Sequence, residues 1–181
     1  VLAGLLGVGG GIVLVPAFYY AFSGLGYDNP QLMKICVATS LATIVFTSIR
    51  SVFSHNKSGF VDWEILQKWA PGIVLGAIIG VLVAAKVQSN TLTMIFGFLG
   101  IFIGLYMAFG RKSLYLNETM PTGVIRSLIS SFIGFLSVLM GIGGGSFAVP
   151  LMTLHRISIH KAVATAAGFG LAIAIPSAVG F

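Results

Sequence analysis

The sequence predicts an all-α protein built as a polytopic bundle of transmembrane helices, and three observations carry that expectation. Charged residues are 8% of the 181 positions while 57% are hydrophobic, against about a quarter charged in a soluble domain. Apolar stretches of the roughly 20 residues needed to cross a hydrocarbon core recur along the chain, separated by short polar breaks. These stretches are apolar on every face, as from Gly72 to Ala85, so the alternation expected of a lipid-facing barrel strand is missing. In lipid every backbone N–H and C=O must be satisfied inside the protein, which leaves helices as the spanning element.

Taken in order, the segments are Val1 to Phe22, Gln31 to Phe53, Ile65 to Val87, Thr91 to Phe109, Thr122 to Leu154 and His160 to Gly180. The first begins without a preceding Lys, Arg or Met, so it reads as part of a helix and gives no support for a signal peptide. It ends at Gly24-Leu25-Gly26-Tyr27-Asp28-Asn29-Pro30, a turn-rich sequence. The second ends at Ser54 to Asp62, where His55, Asn56, Lys57 and Gly59 collect. Trp63 and Trp69 flank the third span at the depth where indole rings favour the headgroups. Residues 111 to 121 connect a first membrane repeat of four spans, 1 to 110, to a second one, 122 to 181, with two spans.

Six alternating spans put Arg50, Lys57, Lys68, Arg111, Lys112 and Arg126 on one side and Lys34, Lys86, Arg156 and Lys161 on the other. The richer side is the expected cytoplasmic one. Because these cations sit at the ends of apolar runs and form no single stripe, the net charge of +6 points to membrane topology and away from nucleic acid. Cys36 stands alone in an apolar run, so one chain can build neither a disulfide framework nor a thiolate metal site. His55, His155 and His160 have no carboxylate at ligand spacing and read as interfacial loop residues. No nucleophile with a base is assembled, which argues against an intramembrane enzyme; no cofactor is expected.

An internal repeat is the most informative feature. Gly7-Val8-Gly9-Gly10-Gly11-Ile12-Val13-Leu14-Val15-Pro16 recurs as Gly141-Ile142-Gly143-Gly144-Gly145-Ser146-Phe147-Ala148-Val149-Pro150. Each copy is followed by a polar break and a Val-Ala-Thr element, Val37-Ala38-Thr39-Ser40 and Val163-Ala164-Thr165-Ala166. With four spans between the copies, an even number, the expectation is a pair of parallel four-helix repeats related by an axis along the membrane normal. Two spans follow the Val-Ala-Thr helix in the first copy and none in the second, so the second repeat is truncated and helices 1 and 5 are glycine-broken.

Three consecutive glycines cost a helix about 1 kcal/mol each relative to Ala. They imply either an unwound backbone whose free N–H groups face an anion, or close packing between helices. Duplication, with Pro five residues after each triplet, favours the first. A dinucleotide fingerprint is rejected, since no βαβ unit is present and no acidic residue follows the second copy. Thr39, Thr43 and Thr47 share one helix face with Ser40 and Ser48 beside them, and such hydroxyls can line a path or bond their own helix carbonyls. Arg50 closes an otherwise uncharged helix and is expected to attract an anion at a pore mouth.

At the duplicated glycine element, the Ala38-Thr39-Ser40 element and the loop His55-Asn56-Lys57-Ser58-Gly59-Phe60-Val61-Asp62-Trp63, the sequence resembles the sulfite exporter TauE/SafE family. The resemblance implies a multi-pass protein of the bacterial inner membrane that carries a small sulfur anion or organosulfonate such as sulfite or sulfoacetate. The expected partners are the lipid bilayer and a small anionic solute, with a homo-oligomer left open. The expected solute site comprises Gly9, Gly10, Gly11, Thr39, Ser40, Gly143, Gly144, Gly145 and Thr165, with no metal. Ser40 is matched by Ala166, so a hydroxyl role in one half does not transfer to the other. The competing reading is a non-transporting subunit or scaffold whose glycine-rich helices only pack. Because a continuous helix from Thr122 to Leu154 would be roughly 50 Å long, a break at Gly141 to Gly145 is expected, with its counterpart at Gly7 to Gly11 and the two converging near Thr39 and Thr165.

Overall fold

A computed structural model describes residues 11–27, 29–109 and 120–180. They form seven helices: α1 (Gly11–Gly24), α2 (Leu32–Lys57), α3 (Trp63–Lys86), α4 (Ser89–Phe109), α5 (Gly123–Leu139), α6 (Gly145–Leu154) and α7 (Ile159–Gly180). Among these, α2, α3 and α7 are each long and apolar enough to cross a membrane unaided. The all-α bundle expected from composition is therefore what the chain builds. Side-chain size is distributed as a bilayer requires. Large apolar side chains such as Leu75, Leu82, Phe98, Phe102, Leu128 and Phe132 point outward, where lipid tails solvate them. The helix contacts inside are lined by Gly, Ala and Ser, which let backbones approach closely.

Turn chemistry at the helix ends follows the sequence. α1 ends with Gly26 at φ +81, and the N–H groups of Gly26 and Tyr27 reach back to the carbonyls of Ser23 and Phe22. α2 ends the same way, with Gly59 at φ +70 and N–H bonds from Gly59 and Phe60 to Asn56 and His55. Only a residue without Cβ takes this left-handed conformation at no cost, which is why the helices stop there. α2 runs through Lys57, so the expected loop from Ser54 is shorter than its polar composition suggests. α3 starts on an Asp62 cap, whose carboxylate accepts from the Ile65 N–H at 3.0 Å.

The directions of the helices follow from who touches whom. A Cβ placed on Gly72 would meet Ser130, one on Gly76 would meet Ser131 and one on Gly80 would meet Val138, so α3 and α5 run side by side in the same direction. α7 also runs with α3, since Leu66 lies against Gly168 and Val81 against Gly180. Helices α3, α5 and α7 thus all begin on one face, here termed the α2–α3 face. α6 connects α5 to α7 and must return to the face from which α5 came. Segment 122–154 is a re-entrant helical hairpin and not a single crossing.

This reverses one expectation. α1 leads from Gly11 to the opposite face, where it turns into α2, while α6 leads from Gly145 to the α2–α3 face, where it turns into α7. The helices that follow the two glycine elements, α1 and α6, therefore run in opposite directions and diverge from a common centre. The repeat is inverted, with its pseudo-twofold axis in the membrane plane, where counting spans had made it parallel. The even count failed because the fifth segment does not cross. Arg156 and Lys161 move with it to the side of Lys57.

Candidate functional site

The centre of the bundle is the interruption between α5 and α6. Gly141 takes φ +61, its N–H bonds to the Val138 carbonyl and the Ile142 N–H to that of Ser137, both at 2.9 Å. This is a glycine-terminated helix end, and the left-handed residue turns the chain out of the α5 axis. Met140, Gly141, Ile142, Gly143 and Gly144 are all buried. A new helix then starts at Gly145, with Gly144 as its cap residue and no side-chain cap bond. The N–H groups of Gly143, Gly144 and Gly145 make no hydrogen bond within the described residues. Buried backbone donors without partners are rare and costly, so among the described residues the donors of Gly143 and Gly144 represent open hydrogen-bonding capacity.

The neighbours are supplied by three helices. Gly11, the first described residue of α1, packs so closely that a Cβ there would overlap the Gly141 carbonyl oxygen and come to 2.6 Å of the Ile142 Cα. Val15, one turn further on α1, touches Gly141 from the same side. From α2, the buried Ser40 hydroxyl donates to the Gly141 carbonyl at 2.7 Å, satisfying an acceptor that the broken helix leaves open. From α7, Phe169 and Ile173 face Gly144, and Gly170 faces Gly143 together with Ile44 of α2. The N-terminal end of α6 therefore lies beside Gly11 of α1 and presents the positive end of its helix dipole to this spot. A small anion is the species such an arrangement favours.

The residues expected to form the site are brought together in part. Gly11, Ser40, Gly143, Gly144 and Gly145 gather at the break. Gly9 and Gly10 lie outside the described residues. Thr39, next to Ser40, turns its hydroxyl to the carbonyl of Ile35 at 2.7 Å. Thr43 and Thr47 do the same toward Thr39 and Thr43, so the threonine line is engaged within its own helix. Thr165 is fully buried, but its oxygen accepts the Asp62 N–H at 3.0 Å and pins the α2–α3 loop to α7. That contact is away from the break. Arg50 is exposed near the end of α2. His155 is buried, its Nδ1 2.8 Å from the Leu151 carbonyl, while His160 stacks at 5.7 Å from Phe60.

Sequence reasoning missed two features. Gly72, Gly76 and Gly80 form a groove for α5, and Gly134 of α5 fits against Ile73 and Ala77 in return. Their four-residue spacing was the available signal. Ser137, one turn before the break on α5, is fully buried and its hydroxyl has no partner among the described residues; no pattern in the sequence marks it. A cavity of about 280 Å³ lies elsewhere, at the α1–α2 turn, lined by Phe22, Leu25, Tyr27, Asn29, Leu32 and Ile35.

Comparison with known proteins gives a consistent result. The whole chain, residues 1–181, matches the family described as "Sulfite exporter TauE/SafE". A "Probable membrane transporter protein" of Haemophilus influenzae is 32% identical over 180 residues, covering 99% of this chain and 68% of that protein. A protein of the same description from Methanocaldococcus jannaschii is 30% identical over 169 residues, covering 93% of this chain and 62% of its own. One from Bacillus subtilis is 31% identical over 181 residues, 89% of this chain and 66% of that protein. The chain thus spans about two thirds of the length of these relatives. No solved structure matches.

Proposed function

We propose that this chain, which belongs to the sulfite exporter TauE/SafE family of membrane transporters, carries a small anion by secondary transport and holds it at the Gly141–Gly145 break. A sulfur oxyanion or an organosulfonate of the sulfite or sulfoacetate type fits the reading best. One observation supports it above the others: the N–H groups of the buried Gly143 and Gly144 and of the half-buried Gly145 have no partner among the described residues and lie where α6 begins beside Gly11 of α1. A compact oxyanion can accept several N–H bonds at once while the helix dipoles stabilise its charge. The described part of the centre holds no Lys or Arg, so the anion is recognised by dipoles and released without breaking a salt bridge.

The proposed donors are the backbone N–H groups of Gly143, Gly144 and Gly145, with Gly9, Gly10 and Gly11 supplying the matching set from the other repeat. Ser40 shapes the break by holding the Gly141 carbonyl. Thr39 and Thr165 take supporting roles, the first beside Ser40 and the second through the Asp62 loop. The inverted repeat supports alternating access, because rocking one repeat against the other would expose the same centre to either face. We place the protein in the bacterial plasma membrane as a multi-pass carrier.

The test is flux by the full-length protein in proteoliposomes, with labelled sulfite and sulfoacetate as probes. Saturable uptake of at least one is expected, and absence of flux for every sulfur oxyanion and sulfonate tried would reject the reading. Close packing of Gly11 on Gly141 is also what a scaffold would use. That alternative predicts that glycine substitutions alter assembly without a separable transport defect.

A further inference from the structure

The re-entrant hairpin redistributes the charge of the molecule. With α6 returning to the face from which α5 starts, Arg50, Lys57, Lys68, Arg126, Arg156 and Lys161 all lie toward the α2–α3 face. The opposite face keeps Lys34 and Lys86 among the described residues. These two have a local explanation. Lys34 donates to the Ala85 carbonyl at 2.8 Å, and Lys86 occupies the last turn of α3, so both serve the negative end of that helix.

The six on the α2–α3 face are spread over α2, α3, α5, the α6–α7 turn and α7. Lys68 pairs with Glu64 at 2.6 Å on the surface, and Lys57, Arg156 and Lys161 are exposed at the helix ends and turns of that face. Trp63 stands among them, half exposed, with its Nε1 on Asn56 at 3.0 Å, and Phe60 and Phe53 are exposed nearby in the chain. A basic rim with amphipathic aromatic rings at one end of a bundle matches the headgroup layer of a leaflet. The cytoplasmic leaflet is the anionic one, and it attracts Lys and Arg close to its surface.

We infer that the α2–α3 face is the cytoplasmic face and that its basic rim docks on anionic phospholipid headgroups. The first arm of the test uses the full-length protein in intact cells on a background with every native cysteine, Cys36 among them, replaced by Ser, with single cysteines at Lys57→Cys, Lys161→Cys and Lys86→Cys and a membrane-impermeant maleimide. Lys86→Cys is expected to label before lysis, and the other two only after it. Labelling of Lys57→Cys and Lys161→Cys from opposite sides would overturn the re-entrant topology, and labelling of both from outside would overturn the sidedness. The second arm compares retention of phosphatidylglycerol and phosphatidylcholine by the purified protein in native mass spectra. Phosphatidylglycerol is expected to be retained preferentially, and Lys57→Gln, Arg156→Gln and Lys161→Gln combined should lower that retention about tenfold. Lys34→Gln with Lys86→Gln should leave it in place. Equal retention of the two lipids, or no change in the triple variant, would overturn the docking.

Discussion

Two glycine-rich regions of this bundle do opposite things. Along α3, Gly72, Gly76 and Gly80 stay helical and give their surface to α5, whose Ser131 hydroxyl even reaches across to the Gly72 carbonyl at 3.0 Å. Between α5 and α6, Gly141, Gly143 and Gly144 leave the helix, and the donors of Gly143 to Gly145 have no partner among the described residues. Spacing explains the contrast. Glycines four apart line one face of an intact helix, and their only effect is to let a neighbour in. Consecutive glycines add their helix penalties in one turn, and the chain breaks there. Glycine content alone therefore does not identify a site; the fate of the backbone N–H groups does.

The sharpest way to break this comparison is to fill the packing groove. A Cβ on Gly76 would collide with the Ser131 backbone, which cannot step aside. Gly76→Val is expected to cost about 3 kcal/mol, enough to lower the melting temperature markedly or abolish folded expression. Thermal unfolding in detergent checks this, and an unchanged melting temperature would mean that α3 and α5 do not depend on close approach.

A smaller effect is expected where the break is held by a side chain. Ser40→Ala leaves the buried Gly141 carbonyl without its donor, at a cost of about 1–3 kcal/mol, and loosens the turn around which the proposed donors are arranged. Stability and flux should fall together. The smallest effect belongs to Thr165→Val, which keeps the shape and removes the acceptor for the Asp62 N–H. A loss of about 1 kcal/mol is expected in unfolding, with solute affinity unchanged. A large loss of affinity without loss of stability would instead put Thr165 in direct contact with the solute.

Much of this architecture was legible in the sequence, for physical reasons. Low charge and all-round apolar runs define helices in lipid, and the length of Thr122 to Leu154 together with its glycines locates a break. Ser40 stood out by its place in the Val-Ala-Thr-Ser element, and the structure puts it on the Gly141 carbonyl. What sequence could not supply is direction. Whether the chain leaves Gly141 onward through the bilayer or back toward its origin depends on a left-handed backbone turn and on the faces of α2 and α7 that receive α6. Neither is encoded in local periodicity, and a ten-residue α6 counted as the second half of one span. The sense of the repeat and the sides of Arg156 and Lys161 changed with that single turn. Thr165 meets the Asp62 N–H and not the break, because repeat position says nothing about which neighbour a hydroxyl meets.

The central claim is that the α5–α6 break serves a solute and is not packing, and Gly143→Ala tests it most directly. A Cβ on Gly143 would sit 3.5 Å from Ile44 Cγ2 and 3.7 Å from the Gly170 Cα, ordinary contact distances, so the methyl fits without displacing its neighbours. Flux of the full-length variant in proteoliposomes, measured beside its melting temperature, separates the two roles. The account predicts flux reduced about tenfold or more, as expected when a preorganised donor set is crowded, with melting changed by no more than a change of about 1 kcal/mol would produce. Full flux with a methyl at this position would contradict it.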